Sequence, residues 1–328
     1  MKRRDFIKVV TATAAAWPMT AHAQSTKKLL IGVLMGFAES DPNAQKLVSA
    51  FRGMLNALGW KEGGNINIEV RWGAGDPERM RGFAKELVEL RPDVILAQTT
   101  PVLRAVARET QTIPIIFAVV SDPIGGGFAA SLTRPGGNVT GFTDAEPEMG
   151  GKWVQLLKNI APSTERVSLL FNPATAPPLK FYLPSIEAAA ASFNVAITKA
   201  PIDSSVEFED VVAAASKPGE GVIVMPDGHN TTHRDLIIAL TARYRVPAIY
   251  FNRYFVQSGG LIGYGDDYAE LFRQSARYVD RVLRGEHPGE LPIQLPAKFE
   301  LAVNLKTAEA LGLEVPSTLV ASADEVIQ

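Results

Sequence analysis

The sequence has no cysteine in 328 residues. That absence excludes disulfides, thiolate nucleophiles, cysteine-held metals and iron–sulfur clusters, and with them attachment through a lipobox cysteine. Histidine is also scarce, with four in the chain. His22 falls in the leading segment, so only His229, His233 and His287 remain for acid–base or metal chemistry. His229 and His233 have the i, i+4 spacing of a helical zinc pair. The intervening Asn230-Thr231-Thr232 lacks the glutamate of H-E-x-x-H, however, and the stretch reads as a loop entering a helix. No G-x-S-x-G elbow is present. Gly125-Gly126-Gly127 and Gly136-Gly137 lack the spacing and the lysine of phosphate loops. Neither a metal nor a cofactor is expected. Charge of one sign is missing too: 33 Lys and Arg face 35 Asp and Glu, which argues against a nucleic-acid partner. Beyond the leading segment no run approaches the roughly 18 apolar residues of a membrane span.

What is present begins with residues 1–23. Lys2, Arg3, Arg4 and Lys8 form a positive region, Val9 to Ala16 a mildly apolar one, and Ala21-His22-Ala23 an A-x-A cleavage site. Arg3-Arg4 followed by Asp5-Phe6-Ile7-Lys8 resembles a bacterial twin-arginine export signal. A cleaved signal peptide over 1–23 predicts a periplasmic product without a membrane anchor. Its removal leaves the chain three charges more negative than −2.

The composition, 46% hydrophobic and 21% charged, is that of a folded chain, and the length suits two domains. Short apolar runs alternate with helical periodicity, the pattern of parallel sheets covered on both faces. The first series predicts strands at Lys28 to Leu34, Ile66 to Trp72, Val94 to Gln98, Ile113 to Val120 and Asn138 to Phe142. A second predicts Arg166 to Phe171, Val195 to Ala200, Gly221 to Met225, Pro247 to Phe251, Leu261 to Tyr264 and, after a proline-rich connector, Phe299 to Asn304. Asp41-Pro42 and Asp76-Pro77 are helix starts, a cap followed by proline in the first turn. The stripe Tyr268, Leu271, Phe272, Ala276, Val279, Val282 and Leu283 reads as the core face of a late helix. The polar stretch Thr143 to Gly151 reads as a crossing between lobes. The expected division is an N-terminal lobe of 28–142 plus about 265–292 and a C-terminal lobe of 143–264 plus about 293–328.

Open parallel sheets bind ligands at the carboxyl ends of their strands, so facing lobes would enclose a ligand between them. The residues just past the strands are then the candidate site: Phe37, Thr99, Thr100, Asp122, Thr143, Asp144, Asn172, Asp227 and Asn252. Turn formation selects the same residue types, so each position has a structural alternative. Thr99-Thr100-Pro101 opens a predicted helix, where free N–H groups and the helix dipole favour an anion.

Several motifs carry a family resemblance: Ile113-Pro114-Ile115-Ile116-Phe117, Ser121-Asp122-Pro123, Arg134-Pro135-Gly136-Gly137-Asn138-Val139-Thr140-Gly141, Gly259 through Gly265, and Asn304-Leu305-Lys306-Thr307-Ala308. Together they resemble the periplasmic substrate-binding components of ABC importers, in the branch related to tryptophan and tyrosine binding proteins. The resemblance spans essentially the whole mature chain. It implies a type I periplasmic-binding fold of two doubly wound α/β lobes, no catalysis, an ABC permease as partner, a monomer, and an amino acid or related small carboxylate as ligand. Carried over by position, Thr99-Thr100, Asp122, Asp144, Asn172 and Asp227 match cleft positions of that pattern. Gly36-Phe37-Ala38-Glu39-Ser40 departs from it. Two alternatives stay open: a ligand-sensing subunit for a membrane kinase, and an α/β enzyme acting through the cleft carboxylates.

Overall fold

The computed structural model describes residues 28–144, 146–174, 179–296 and 298–328; the expected export segment lies outside them. The first series of strands is β1 (Leu29–Met35), β2 (Ile66–Trp72), β3 (Val94–Gln98), β4 (Ile115–Ala118) and β5 (Val139–Phe142). Its helices are α1 (Pro42–Ala57), α2 (Pro77–Glu89) and α3 (Thr100–Glu109). All five strands run parallel in the order β2-β1-β3-β4-β5. The two Asp-Pro starts act as read from sequence. Asp41 accepts from the Asn43 N–H at 2.8 Å, Asp76 from those of Glu78 and Arg79 at 2.8 and 3.3 Å, and each helix begins at the following proline.

The second series opens with α4 (Met149–Ile160) and β6 (Arg166–Phe171), then α5 (Leu183–Ser192), β7 (Ala196–Pro201), α6 (Glu207–Ala214) and β8 (Glu220–Val224). It continues through α7 (Gly228–Thr232), α8 (Arg234–Arg243), β9 (Ala248–Tyr250), α9 (Arg253–Gln257) and β10 (Ile262–Asp266). After α10 (Tyr268–Leu283) come β11 (Phe299–Asn304), α11 (Leu305–Leu311), α12 (Ser317–Ser322) and β12 (Glu325–Ile327). The second sheet has the order β12-β11-β10-β9-β8-β6-β7.

Two features differ from the sequence reading. β11 runs antiparallel to β10, with Ile262 opposite Val303, and β12 adds an edge strand beside it. The helix between β10 and β11, α10, packs on the first lobe and is not a crossover within this sheet, so β-α alternation gives the wrong direction. The crossing expected over Thr143 to Gly151 is also shorter, because α4 already begins at Met149 and buries Gly150 and Trp153.

The chain passes between the sheets three times. After the first passage at 143–148, the second comes at Asp266–Asp267, where β10 leaves the second sheet and α10 packs on α1 and against β3, β4 and β5. The third, after α10, lies along the first: Thr143 N–H donates to Gln294 O at 2.9 Å, and Gln294 N–H to Gly141 O at 2.9 Å. The Tyr278 hydroxyl donates to Pro292 O at 2.8 Å, and its ring packs on Phe142 with centroids 4.6 Å apart. Adjacent crossings on one side of the molecule leave rotation about that side as the easiest relative motion of the lobes.

Candidate functional site

At the carboxyl ends of the first sheet, the β1–α1 loop is tied to the β2–α2 loop by Gly73 N–H to Met35 O at 2.7 Å and Gly75 N–H to Gly36 O at 2.8 Å. Gln98, fully buried at the end of β3, accepts from Gly36 N–H at 2.7 Å. Gly36 must be a glycine, since a Cβ there would stand 2.6 Å from Thr99 Oγ1. This frame puts Phe37 and Thr99 beside the interlobe space.

Thr99 stands at the N-cap position of α3 with φ 81° and ψ 154°, and Val119, after β4, has φ 60°. A β-branched residue at positive φ is strained by about 1–3 kcal/mol and persists only where its surroundings over-determine it. Both residues line one cavity. The Thr99 hydroxyl is buried and has no protein partner, nor does it cap its own helix. Leu103 N–H is already bonded to Thr99 O, and Pro101 has no N–H, so the first turn of α3 presents the N–H groups of Thr100 and Val102.

The cavity is walled from one lobe by Phe37, Thr99, Thr100, Pro101, Val119 and Ser121. From the other side come Pro226, Asp227, Gly228, Thr231 and Phe251, with Asp144 and Tyr268 from the crossings. No lysine or arginine is among these described residues. Asp144 is 5% exposed and accepts from Ser121 Oγ at 3.0 Å and from the Tyr268 hydroxyl at 3.2 Å. Burial pushes its carboxyl up to about 6, with these two hydrogen bonds pulling the other way. Asp266, at the second crossing, has a buried Oδ2 without a protein partner. Burial, then the nearby Asp144 charge, raises its carboxyl to about 8. The Tyr268 and Tyr182 hydroxyls are likewise held above the usual tyrosine range, chiefly by burial and then by Asp144.

A raised carboxyl favours the folded state most when protonated: its contribution is complete below about 3.8 and is lost as pH rises through the folded value. For Asp266 that window extends to about 8. Asp266→Asn is therefore expected to raise the melting temperature of the ligand-free protein at about pH 9 and to change it little at about pH 4. An equal change at both pH values would show that Asp266 does not titrate in this window.

Of the nine sequence candidates, Phe37, Thr99, Thr100, Asp144 and Asp227 line the cavity, and four do not. Asp122 Oδ1 accepts from Gly125 N–H at 2.7 Å and shapes a turn. Thr143 Oγ1 donates to Gln294 O at 3.3 Å within the crossings. Asn172 donates from Nδ2 to Ile202 O at 2.8 Å and accepts from Ala174 N–H. Asn252 caps α9 through Tyr254 N–H at 3.0 Å. Each of these four has its side chain engaged by a hydrogen bond within the protein, and Asn252 also bonds Tyr268. Asp227 reaches the cavity, but its carboxylate is engaged by Asn172 N–H at 3.0 Å and Asn230 N–H at 2.6 Å. His229 and His233 stack near Phe208 with centroids 4.3 Å apart; burial, then His233, lowers His229 to about 4. Among the described residues no cluster of three or more His, Cys, Asp or Glu could hold a metal.

Tyr268 is the wall residue that sequence reasoning placed elsewhere, as part of the α10 core stripe. It is both: its ring is buried in the first turn of α10 while its hydroxyl reaches Asp144. The available signal was Asp267, whose helix-cap position marks Tyr268 as the first residue past a crossing.

Two α/β lobes with multiple crossings, closing on a small cavity lined by hydroxyls, one open carboxylate and aromatic rings, define a solute receptor of the type I periplasmic-binding fold. The chain belongs to the ABC transporter substrate binding protein family, whose model matches residues 33–327. A tyrosine-binding protein from Clostridioides difficile (strain R20291) is 26% identical over 273 residues, covering 83% of this chain and 78% of that protein. The fold matches a conserved domain protein from Vibrio cholerae at TM-score 0.84 and 26% identity, covering 92% of this chain and all of the other. It also matches an ABC domain from Streptococcus pneumonia in complex with L-Trp at TM-score 0.83 and 23% identity, again over 92% of this chain and all of the other. Among the described residues no helix is long and apolar enough to cross a membrane.

Proposed function

We propose that the protein is an exported receptor that captures an aromatic α-amino acid between its lobes and delivers it to an ABC permease. One observation carries this reading: a buried acceptor, Asp144, and a buried helix entrance, Thr99-Thr100, whose Thr99 hydroxyl has no protein partner, wall the same cavity as Phe37 and Phe251. The ammonium of the ligand pairs with Asp144, whose carboxylate has only neutral protein partners, Ser121 and Tyr268. The ligand carboxylate takes the Thr99 and Thr100 hydroxyls and the free N–H groups of α3. The ring lies among Phe37, Pro226 and Phe251. Contacts from both lobes exist together only in the closed form, so binding stabilises closure by their difference.

The receptor works without chemistry. Ser121, the cavity hydroxyl beside a carboxylate, donates to Asp144 and has no histidine base among the wall residues. A thermal-shift screen of the mature protein against amino acids, aromatic acids, purines and sugars tests the reading. Stabilisation by aromatic amino acids is expected; stabilisation by sugars or purines alone would replace it. The receptor acts as a soluble periplasmic monomer, exported through Arg3-Arg4. Arg3→Lys with Arg4→Lys is expected to abolish the mature protein in the periplasmic fraction, and its continued appearance there would exclude the twin-arginine route.

A further inference from the structure

At the mouth of the cleft, far from the crossings along the chain, the lobes meet a second time through residues outside the cavity wall. Arg234, the first residue of α8, places Nη1 3.2 Å from Asp41 Oδ2, and both side chains are about 10% exposed. The other oxygen of Asp41 is held by Asn43 N–H as the cap of α1, so this carboxylate is fixed in one lobe and the guanidinium in the other. Beside the pair the two backbones touch. Gly75 has φ 74°, and a Cβ there would lie 3.0 Å from Thr232 Oγ1 and 3.3 Å from Gly228 O. Arg234 has a second acidic neighbour, Asp235, with Nε 3.5 Å from Oδ1, but Asp235 is exposed and lies in the same lobe.

We propose that Asp41 and Arg234 form a latch that biases the ligand-free protein toward the closed form. Rotation about the crossings that opens the cavity also separates the pair and returns both charges to water. The attraction across the mouth therefore belongs to the closed form alone and acts whether or not the cavity is filled. Its consequence for any ligand is a higher apparent affinity, because the binding-competent state is populated in advance. The latch is independent of what the cavity binds and goes beyond the reading above.

The chain has no native cysteine, so Ser49→Cys on α1 and Ala239→Cys on α8, both exposed, give a clean pair for spin labels. Pulsed dipolar spectroscopy on the ligand-free protein then reads the lobe separation. Two populations are expected, and because the pair is about 10% exposed and weakly screened, the short one should persist from about 20 mM to about 500 mM salt. Arg234→Met is expected to lower the closed-to-open ratio about ten-fold at either salt concentration. Asp41→Asn, which keeps the cap acceptor of α1, is expected to act the same way, and adding it to Arg234→Met should cause no further loss. Melting curves establish that each variant is folded, and Asp41→Asn carries the test if Arg234→Met is not. A distance distribution unchanged by either folded variant, or the absence of a short population in the wild type at low salt, would overturn the latch.

Discussion

Asp144→Asn is expected to weaken binding of an aromatic amino acid by about 10- to 150-fold, the loss of one charge-assisted hydrogen bond worth about 1.5–3 kcal/mol. The same substitution should make the ligand-free protein more stable above about pH 7, because it removes a carboxylate whose ionisation burial opposes. The sign follows from the raised value of about 6: the contribution of Asp144 to stability is complete below about 3.8 and is lost as pH rises through about 6. Binding runs the other way. An ammonium prefers the ionised carboxylate, so wild-type affinity should rise with pH up to about 6 and level off above it, with a proton released on binding below that point. Titration calorimetry across pH checks both halves, and the variant should show a flat profile. A variant that loses stability and affinity together, with the wild-type pH profile retained, would make Asp144 a structural residue.

Thr99→Val with Thr100→Val is expected to cost at least about 100-fold in affinity for the same ligand. Two neutral donors to a carboxylate are removed, at about 1.5–3 kcal/mol each, while shape is conserved. Valine at position 99 inherits the positive φ, so the strain is unchanged and the fold is spared. The diagnostic is a comparison with the ligand's primary amide, which carries no negative charge and should lose less. Equal losses for acid and amide would show that the α3 entrance does not hold the anion.

Much of the scaffold was legible because its causes are local. Asp41-Pro42 and Asp76-Pro77 announce their helices by chemistry confined to neighbouring residues, and the apolar runs that became β3 and β4 are buried along their length, as is β1 from Ile31 onward. The antiparallel turn of β11 and the edge strand β12 were not legible, because strand direction is a tertiary choice. The site was legible as a region and ambiguous by residue. Asn172 and Asn252 stand where a cleft residue would, yet their side chains bond backbone groups, and capping demands the same amides and carboxylates that a ligand would. The positive φ of Thr99 and Val119, which marks the cavity wall most sharply, leaves no trace in composition, since β-branched residues are poor candidates for that conformation. Tyr268 was hidden for a different reason: one side chain serves the core with its ring and the cavity with its hydroxyl.

The proposal that one cavity holds both charged ends of an aromatic amino acid, Asp144 the ammonium and the α3 entrance the carboxylate, is tested by calorimetric titration of the mature protein with L-tryptophan and L-tyrosine, each beside its N-acetyl derivative and its primary amide. One-to-one binding of a free amino acid is expected, with loss of affinity on blocking either end. Undiminished binding of both blocked forms, or no binding of any of these compounds by the folded protein, would overturn the proposal.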